Sequence, residues 1–184
     1  MQAQWKMKRL AVGAAAAALV MGCTVLNGAG VQAIGGLCNG LPATHTWLDA
    51  SGQYGPGVID GTKGDDVIIG SDGDDTIDGH GGDDFICGGA GNDSISDGGG
   101  MPFLRGDTGD DDISAVDVDS ATLSGGAGDD TLEVDNTVAK SWVYGGPGDD
   151  VLIHEGTGTI KAEAGEGFDD CLIHGGDEPT NCEY

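Results

Sequence analysis

"GTKGDDVIIGSDGDDTIDGHGGDDFICGGAGNDSIS", running from Gly61 to Ser96, divides into four nonapeptides. They start at Gly61, Gly70, Gly79 and Gly88 and read GTKGDDVII, GSDGDDTID, GHGGDDFIC and GGAGNDSIS. Position 4 is always glycine (Gly64, Gly73, Gly82, Gly91), position 6 always aspartate (Asp66, Asp75, Asp84, Asp93), and position 8 always isoleucine (Ile68, Ile77, Ile86, Ile95). A short fixed period marks a chain that buries its apolar side chains by stacking units rather than around one globular core.

The register extends in both directions. Ile59 holds position 8 ahead of the first unit. "DGGGMPFLR", from Asp97, keeps Gly100 and Leu104 but places Pro102 where aspartate belongs. "GDTGDDDIS" restores the pattern with Gly106, Gly109, Asp111 and Ile113. Further units follow at Gly125 (Gly128, Asp130, Leu132) and Gly145 (Gly148, Asp150, Leu152), and a weaker one at Gly165 (Asp170, Leu172). From Gly106 these starts step by 19, 20 and 20 residues, so every second unit is replaced by other sequence. The replacements are "AVDVDSATLS", "VDNTVAKSWVY" and "HEGTGTIKAEA", with Leu123, Val143 and Ile160 to fill the matching strand.

Each unit has a physical logic. Its first six positions must reverse the chain, which glycine does without a Cβ penalty while letting carbonyl oxygens face inward. Its last three form a short strand, where period-2 alternation sends only the position-8 side chain inward.

Composition narrows the function classes. The chain has 32 acidic and 7 basic residues, a net charge of −25, and 37 glycines in 184 residues. Nucleic acid is excluded as a partner, because phosphate binding needs a basic surface. Collagen is excluded because glycine does not recur at every third position. An EF-hand is excluded because no D-x-[DN]-x-[DN]-G loop ends in the required Glu. What remains for so many carboxylates is a cation.

The N-terminus reads as an export signal over residues 1–33. Lys6, Lys8 and Arg9 precede the apolar run Leu10–Met21, which suits a signal h-region and is too short to span a bilayer. "VQA" ending at Ala33 resembles a signal-peptidase site, and "LVMGC" ending at Cys23 resembles a lipobox. The expected location is therefore extracellular, either free or lipid-anchored through Cys23. Cys38, Cys87, Cys171 and Cys182 remain, an even number that suits disulfides in an exported chain. Three connectivities are open. Proximity favours Cys171–Cys182 at the C-terminal end, leaving Cys38–Cys87 for the N-terminal end.

The pattern G-G-x-G-x-D-x-U-x, with U a large apolar residue, resembles the haemolysin-type, or RTX, calcium-binding nonapeptide. The resemblance implies an all-β fold: a right-handed parallel β-roll, or solenoid, with two nonapeptides per coil. The roll is expected over 59–173, between an N-terminal cap at 34–58 and a C-terminal cap at 174–184.

Calcium wants six to eight oxygens, more than one turn supplies. Same-side turns belong to every second unit, so the ligands come from stacked pairs. The expected ligands are the aspartates Asp66, Asp75, Asp84, Asp93, Asp111, Asp130, Asp150 and Asp170. Turn carbonyls around Gly61, Gly64, Gly70, Gly73, Gly79, Gly82, Gly88, Gly91, Gly106, Gly109, Gly125, Gly128, Gly145 and Gly148 complete them. One side carries turns 70, 88, 106, 125, 145 and 165, giving up to five sites. The other carries 61, 79 and the degraded 97, giving one good site between 61 and 79 and a half-site beside 97. About five to seven ions are expected in all.

Without metal, two like charges 4 Å apart cost ~1 kcal/mol in water and ~4 at an effective dielectric of 20, so the ion-free repeat is expected to be largely disordered. Catalysis is not expected. His45, His80, His154 and His174 are scattered, His154 and His174 being read as exposed ladder residues, and the short flanks leave no room for an enzyme domain. Trp47 and Tyr54 are read as capping the N-terminal end of the core. Trp142 and Tyr144 should face outward, where they could serve a glycan or surface partner in the alternative reading, an adhesion module stiffened by calcium.

Overall fold

A computed structural model describes residues 23–27, 30–34, 38, 40–46, 57–135, 137–156, 158–173 and 178–182. The h-region, Trp47, Tyr54 and His174 lie outside the described residues. The chain forms two compact units, Met1–Ala43 and Thr44–Tyr184. The first contains an antiparallel pair, β1 (Cys23–Asn27) and β2 (Gly30–Ile34), with Cys23 opposite Ile34. Among the described residues no helix is long and apolar enough to cross a membrane.

The second unit is a parallel β-solenoid. One sheet stacks β3 (His45–Thr46), β5 (Val67–Ile69), β7 (Phe85–Ala90), β9 (Phe103–Thr108), β11 (Thr122–Ala127), β13 (Lys140–Pro147), β15 (Thr159–Glu166) and β17 (Glu178–Thr180). The other stacks β4 (Val58–Asp60), β6 (Thr76–Asp78), β8 (Ser94–Gly98), β10 (Asp112–Val116), β12 (Thr131–Asp135), β14 (Val151–Glu155) and β16 (Asp170–Ile173). Strands alternate between sheets along the chain, so two nonapeptides make one coil, as the repeat predicts.

Position 8 builds the core as two rows. Ile59, Ile77, Ile95, Ile113, Leu132, Leu152 and Cys171 lie in register in one sheet. Ile68, Ile86, Leu104, Leu123, Val143 and Ala162 do so in the other. All thirteen are buried. Each large aliphatic side chain so buried contributes roughly 1.5–3 kcal/mol.

Two expectations change here. Leu172 is not the last member of its row; it is 51 % exposed and Cys171 takes the place opposite Leu152. The last unit therefore starts at Ala164 rather than Gly165, as the pairing of Gly146 with Gly165 also requires. Ile160 is buried, but it lies opposite Ser141, and Ala162 is the residue opposite Val143.

The replacement segments lengthen the strands and extend the core. Two residues beyond position 8, alternation again points inward. In one sheet Asp97, Ala115, Val134 and His154 stand in register there, and all are buried. His154 is fully buried, against the expectation of an exposed ladder, and its partner in the next coil is Ile173. His80 is exposed in its turn at φ 71°, as read from its position.

Candidate metal centres

The same alternation explains the glycine at position 1, which is two residues past the position 8 before it. Its absent side chain leaves an inward slot. A Cβ on Gly106 would lie 2.8 Å from the carbonyl oxygen of Gly125 and would overlap Asp111 Oδ2. A Cβ on Gly88 would lie 3.0 Å from the Gly106 carbonyl oxygen and would overlap Asp93 Oδ2. Gly61 repeats the arrangement, with the Gly79 carbonyl oxygen at 2.8 Å and Asp66 Oδ2 at 3.2 Å. Position 1 thus holds glycine for space and not for a positive φ. At positions 2 and 4 of the later units the left-handed region is used: Gly126 and Gly128 have φ 126° and 135°, and each faces a carbonyl of the coil before it.

The position-6 carboxylates form a ladder along each side. The amide of Asp66 donates to Asp84 Oδ1 at 2.8 Å. On the other side the amides of Asp75, Asp93, Asp111, Asp130 and Asp150 donate to Asp93, Asp111, Asp130, Asp150 and Asp169, at 2.8–3.0 Å. The stacked pairs are therefore alternate units, including Asp93 with Asp111 and Asp130 with Asp150. The ladder ends on Asp169, which is 2 % exposed, whereas Asp170, the expected ligand, is exposed. The one-residue shift of the last unit is the cause.

One oxygen of each carboxylate is used in this ladder. The other, Oδ2, is buried without a hydrogen-bond partner in Asp84, Asp93, Asp111, Asp130, Asp150 and Asp169. The first turn on each side differs: Asp66 Oδ2 accepts from the Thr62 amide at 2.6 Å and Asp75 Oδ2 from the Ser71 amide at 2.6 Å. A buried carboxylate oxygen without a donor is costly, so five of them in series on one side, with Asp84 on the other, call for a cation.

Electrostatics agree. Asp93 and Asp130 are pushed up to about 7 and Asp111 to about 6. Asp84 and Asp150 are raised as well. Burial is the main cause in each, opposed by the backbone hydrogen bond accepted and reinforced by neighbouring carboxylates.

A second ladder was not read from the sequence. At position 5, Asp74 Oδ1 accepts from the Asn92 amide, Asn92 Oδ1 from Asp110, Asp110 Oδ1 from Asp129, and Asp129 Oδ1 from Asp149, at 2.9–3.1 Å. Asp65 and Asp83 do the same on the opposite side. These groups are solvent-exposed. The signal for them was the recurrent acidic pair, GDD or GND, in nearly every unit.

The slots of Gly61, Gly70, Gly88, Gly106 and Gly145 each bring together a carboxylate oxygen of their own unit and a carbonyl oxygen of the following coil. Among the described residues no three His, Cys, Asp or Glu side chains converge on one point. Such a donor set of hard oxygens, from carboxylates and backbone carbonyls together, fits calcium and offers no nitrogen or sulfur to a transition metal.

Cysteines complete the site's frame. Cys171 and Cys182 form a disulfide, as expected. Cys38 and Cys87 are each disulfide-bonded too.

A parallel solenoid whose stacked turns line up buried carboxylate and carbonyl oxygens is a cation-binding repeat module. The RTX calcium-binding nonapeptide repeat model matches the chain in four copies, over residues 58–100, 120–136 and 141–156. Over these residues the roll carries RTX calcium-binding nonapeptide repeats. No curated protein and no solved structure matches the chain significantly.

Proposed function

We propose that this is an exported, non-catalytic calcium-binding protein whose roll folds as ions fill the slots between stacked turns. On this reading the ligands are Asp66, Asp75, Asp84, Asp93, Asp111, Asp130, Asp150 and Asp169, with carbonyls of the turn glycines. Turn pairs 70/88, 88/106, 106/125, 125/145 and 145/164 give one side five sites, and 61/79 gives the other at least one. The observation that supports it best is the series of buried Oδ2 atoms without partners. Millimolar calcium outside the cell would fold a chain kept loose by low calcium inside. The export signal at 1–33 and a Cys38–Cys87 bridge, which would fasten the N-terminal cap, belong to the same proposal. Circular dichroism in EDTA followed by calcium titration tests it. Little β signal in EDTA, recovered by calcium and not by magnesium, is expected; a full β spectrum in EDTA overturns folding on binding.

A second reading has its own observation. Trp142 is 38 % exposed, and Tyr144 lies two residues on, beside a shallow groove lined by Glu163, Thr180 and Asn181. An aromatic face next to acceptors suits a carbohydrate. A glycan array with Trp142→Ala and Tyr144→Ala controls decides it: no calcium-dependent hit, or hits that survive both substitutions, removes the adhesion reading.

A further inference from the structure

The degraded unit at 97 lacks the position-6 aspartate, because Pro102 stands there, so the nonapeptide pattern alone leaves only a half-site beside it. The structure shows a replacement. Asp97 occupies the inward position-1 slot, which is glycine in the units at 61, 70, 79 and 88. It is 4 % exposed, and its Oδ2 is buried without a hydrogen-bond partner. Its Oδ1 accepts from the Gly98 amide at 2.7 Å. A Cβ on Gly79 would lie 2.7 Å from Asp84 Oδ2 and 2.9 Å from Asp97 Oδ1. Both carboxylates therefore border the slot of Gly79. Asp84 is fully buried, and its Oδ2 also has no partner. On the far side of Asp97 the same row continues as Ala115 and Val134, which offer no counter-charge.

We propose that Asp97 is a calcium ligand and closes a further site with Asp84 between turns 79 and 97. Its carboxylate supplies the charge that the missing position-6 side chain of this unit does not. Two carboxylates then face one ion, and the column of sites on this side ends where Ala115 fills the next slot. The inference rests on the calcium reading above and adds one site to it.

The test is calcium stoichiometry on the full, disulfide-intact chain, by calorimetry or by metal analysis after gel filtration. Asp97→Asn should bind one ion fewer than wild type while keeping its β spectrum in calcium. The double variant Asp97→Gly, Pro102→Asp moves the carboxylate back to position 6 and should regain the wild-type count. An unchanged count in Asp97→Asn overturns the site. A loss that the double variant does not restore also overturns it, since a folding defect then accounts for the missing ion. If Asp97→Asn fails to fold, the double variant decides alone, a wild-type count supporting the site and a lower one rejecting it. A wild-type chain that binds no calcium would instead overturn the function proposed above.

Discussion

Replacing Asp111 by Asn separates the two acidic columns. Asp111 and Asp110 are neighbours, yet the structure assigns them different work. Asp111 is 2 % exposed, holds the Asp93 amide with Oδ1, and turns a partnerless Oδ2 into the slot of Gly106. Asp110 is exposed and only accepts from the Asp129 amide, at 3.0 Å. Asn92 already does that task at position 5, accepting from Asp110 at 3.1 Å, so position 5 needs an acceptor and no charge. An asparagine at 111 can still accept from Asp93 with its amide oxygen, but it offers an ion no charge. A charge-assisted contact of this kind is worth about 2 kcal/mol net, or roughly a 30-fold change in an equilibrium constant. Asp111→Asn should therefore shift the calcium midpoint of the β signal upward by roughly that factor, and Asp110→Asn should leave it within about twofold. Both are read by calcium titration under circular dichroism at constant ionic strength. Equal shifts for the two variants would refute the division of labour between positions 5 and 6.

Three other perturbations follow from the same geometry. In EDTA the roll should gain β signal on acidification. Asp93 and Asp130 are held at about 7 in the fold against about 3.9 in an unfolded chain. The folded state thus binds more protons between those values, and its stability is highest below about pH 4 and falls as pH rises to about 7; a calcium-free spectrum that strengthens from pH 5 to 8 contradicts this. Gly126→Ala places a Cβ against the Asp107 carbonyl at φ 126°, so a loss of about 2 kcal/mol or more is expected in chemical denaturation with calcium present, and a change within 0.5 kcal/mol counts against the close approach. Leu132→Ala empties a fully buried place in the row and should cost about 2–5 kcal/mol, read as a lower melting temperature in saturating calcium.

Much of this architecture was legible because the repeat is rigid in its chemistry. Gly at 1 and 4, Asp at 6 and a large apolar residue at 8 imply one register, and parity alone separates turns 61 and 79 from turns 70, 88, 106, 125 and 145. The last unit was misread because Gly165 and Gly167 allow two alignments, and an invariant glycine at position 1 favoured the wrong one. The structure puts Ala164 there, which keeps Gly167, Asp169 and Cys171 at positions 4, 6 and 8. His154 was misread for a different reason. Position 10 is a turn glycine in the regular units, so nothing in the nonapeptide says that longer strands continue the inward row. The position-5 ladder depends on a bond between coils, which a one-dimensional pattern does not display.

The bonds of the position-6 ladder all point one way. Each aspartate amide is capped by a carboxylate from the following coil: Asp75 by Asp93, Asp93 by Asp111, and so on to Asp150 by Asp169. The position-5 bonds run the other way, each amide reaching back to an oxygen of the coil before it. An inner turn is therefore clasped from both neighbours at once, by adjacent residues of one acidic pair, while a coil at either end of the stack keeps only one of the two ties.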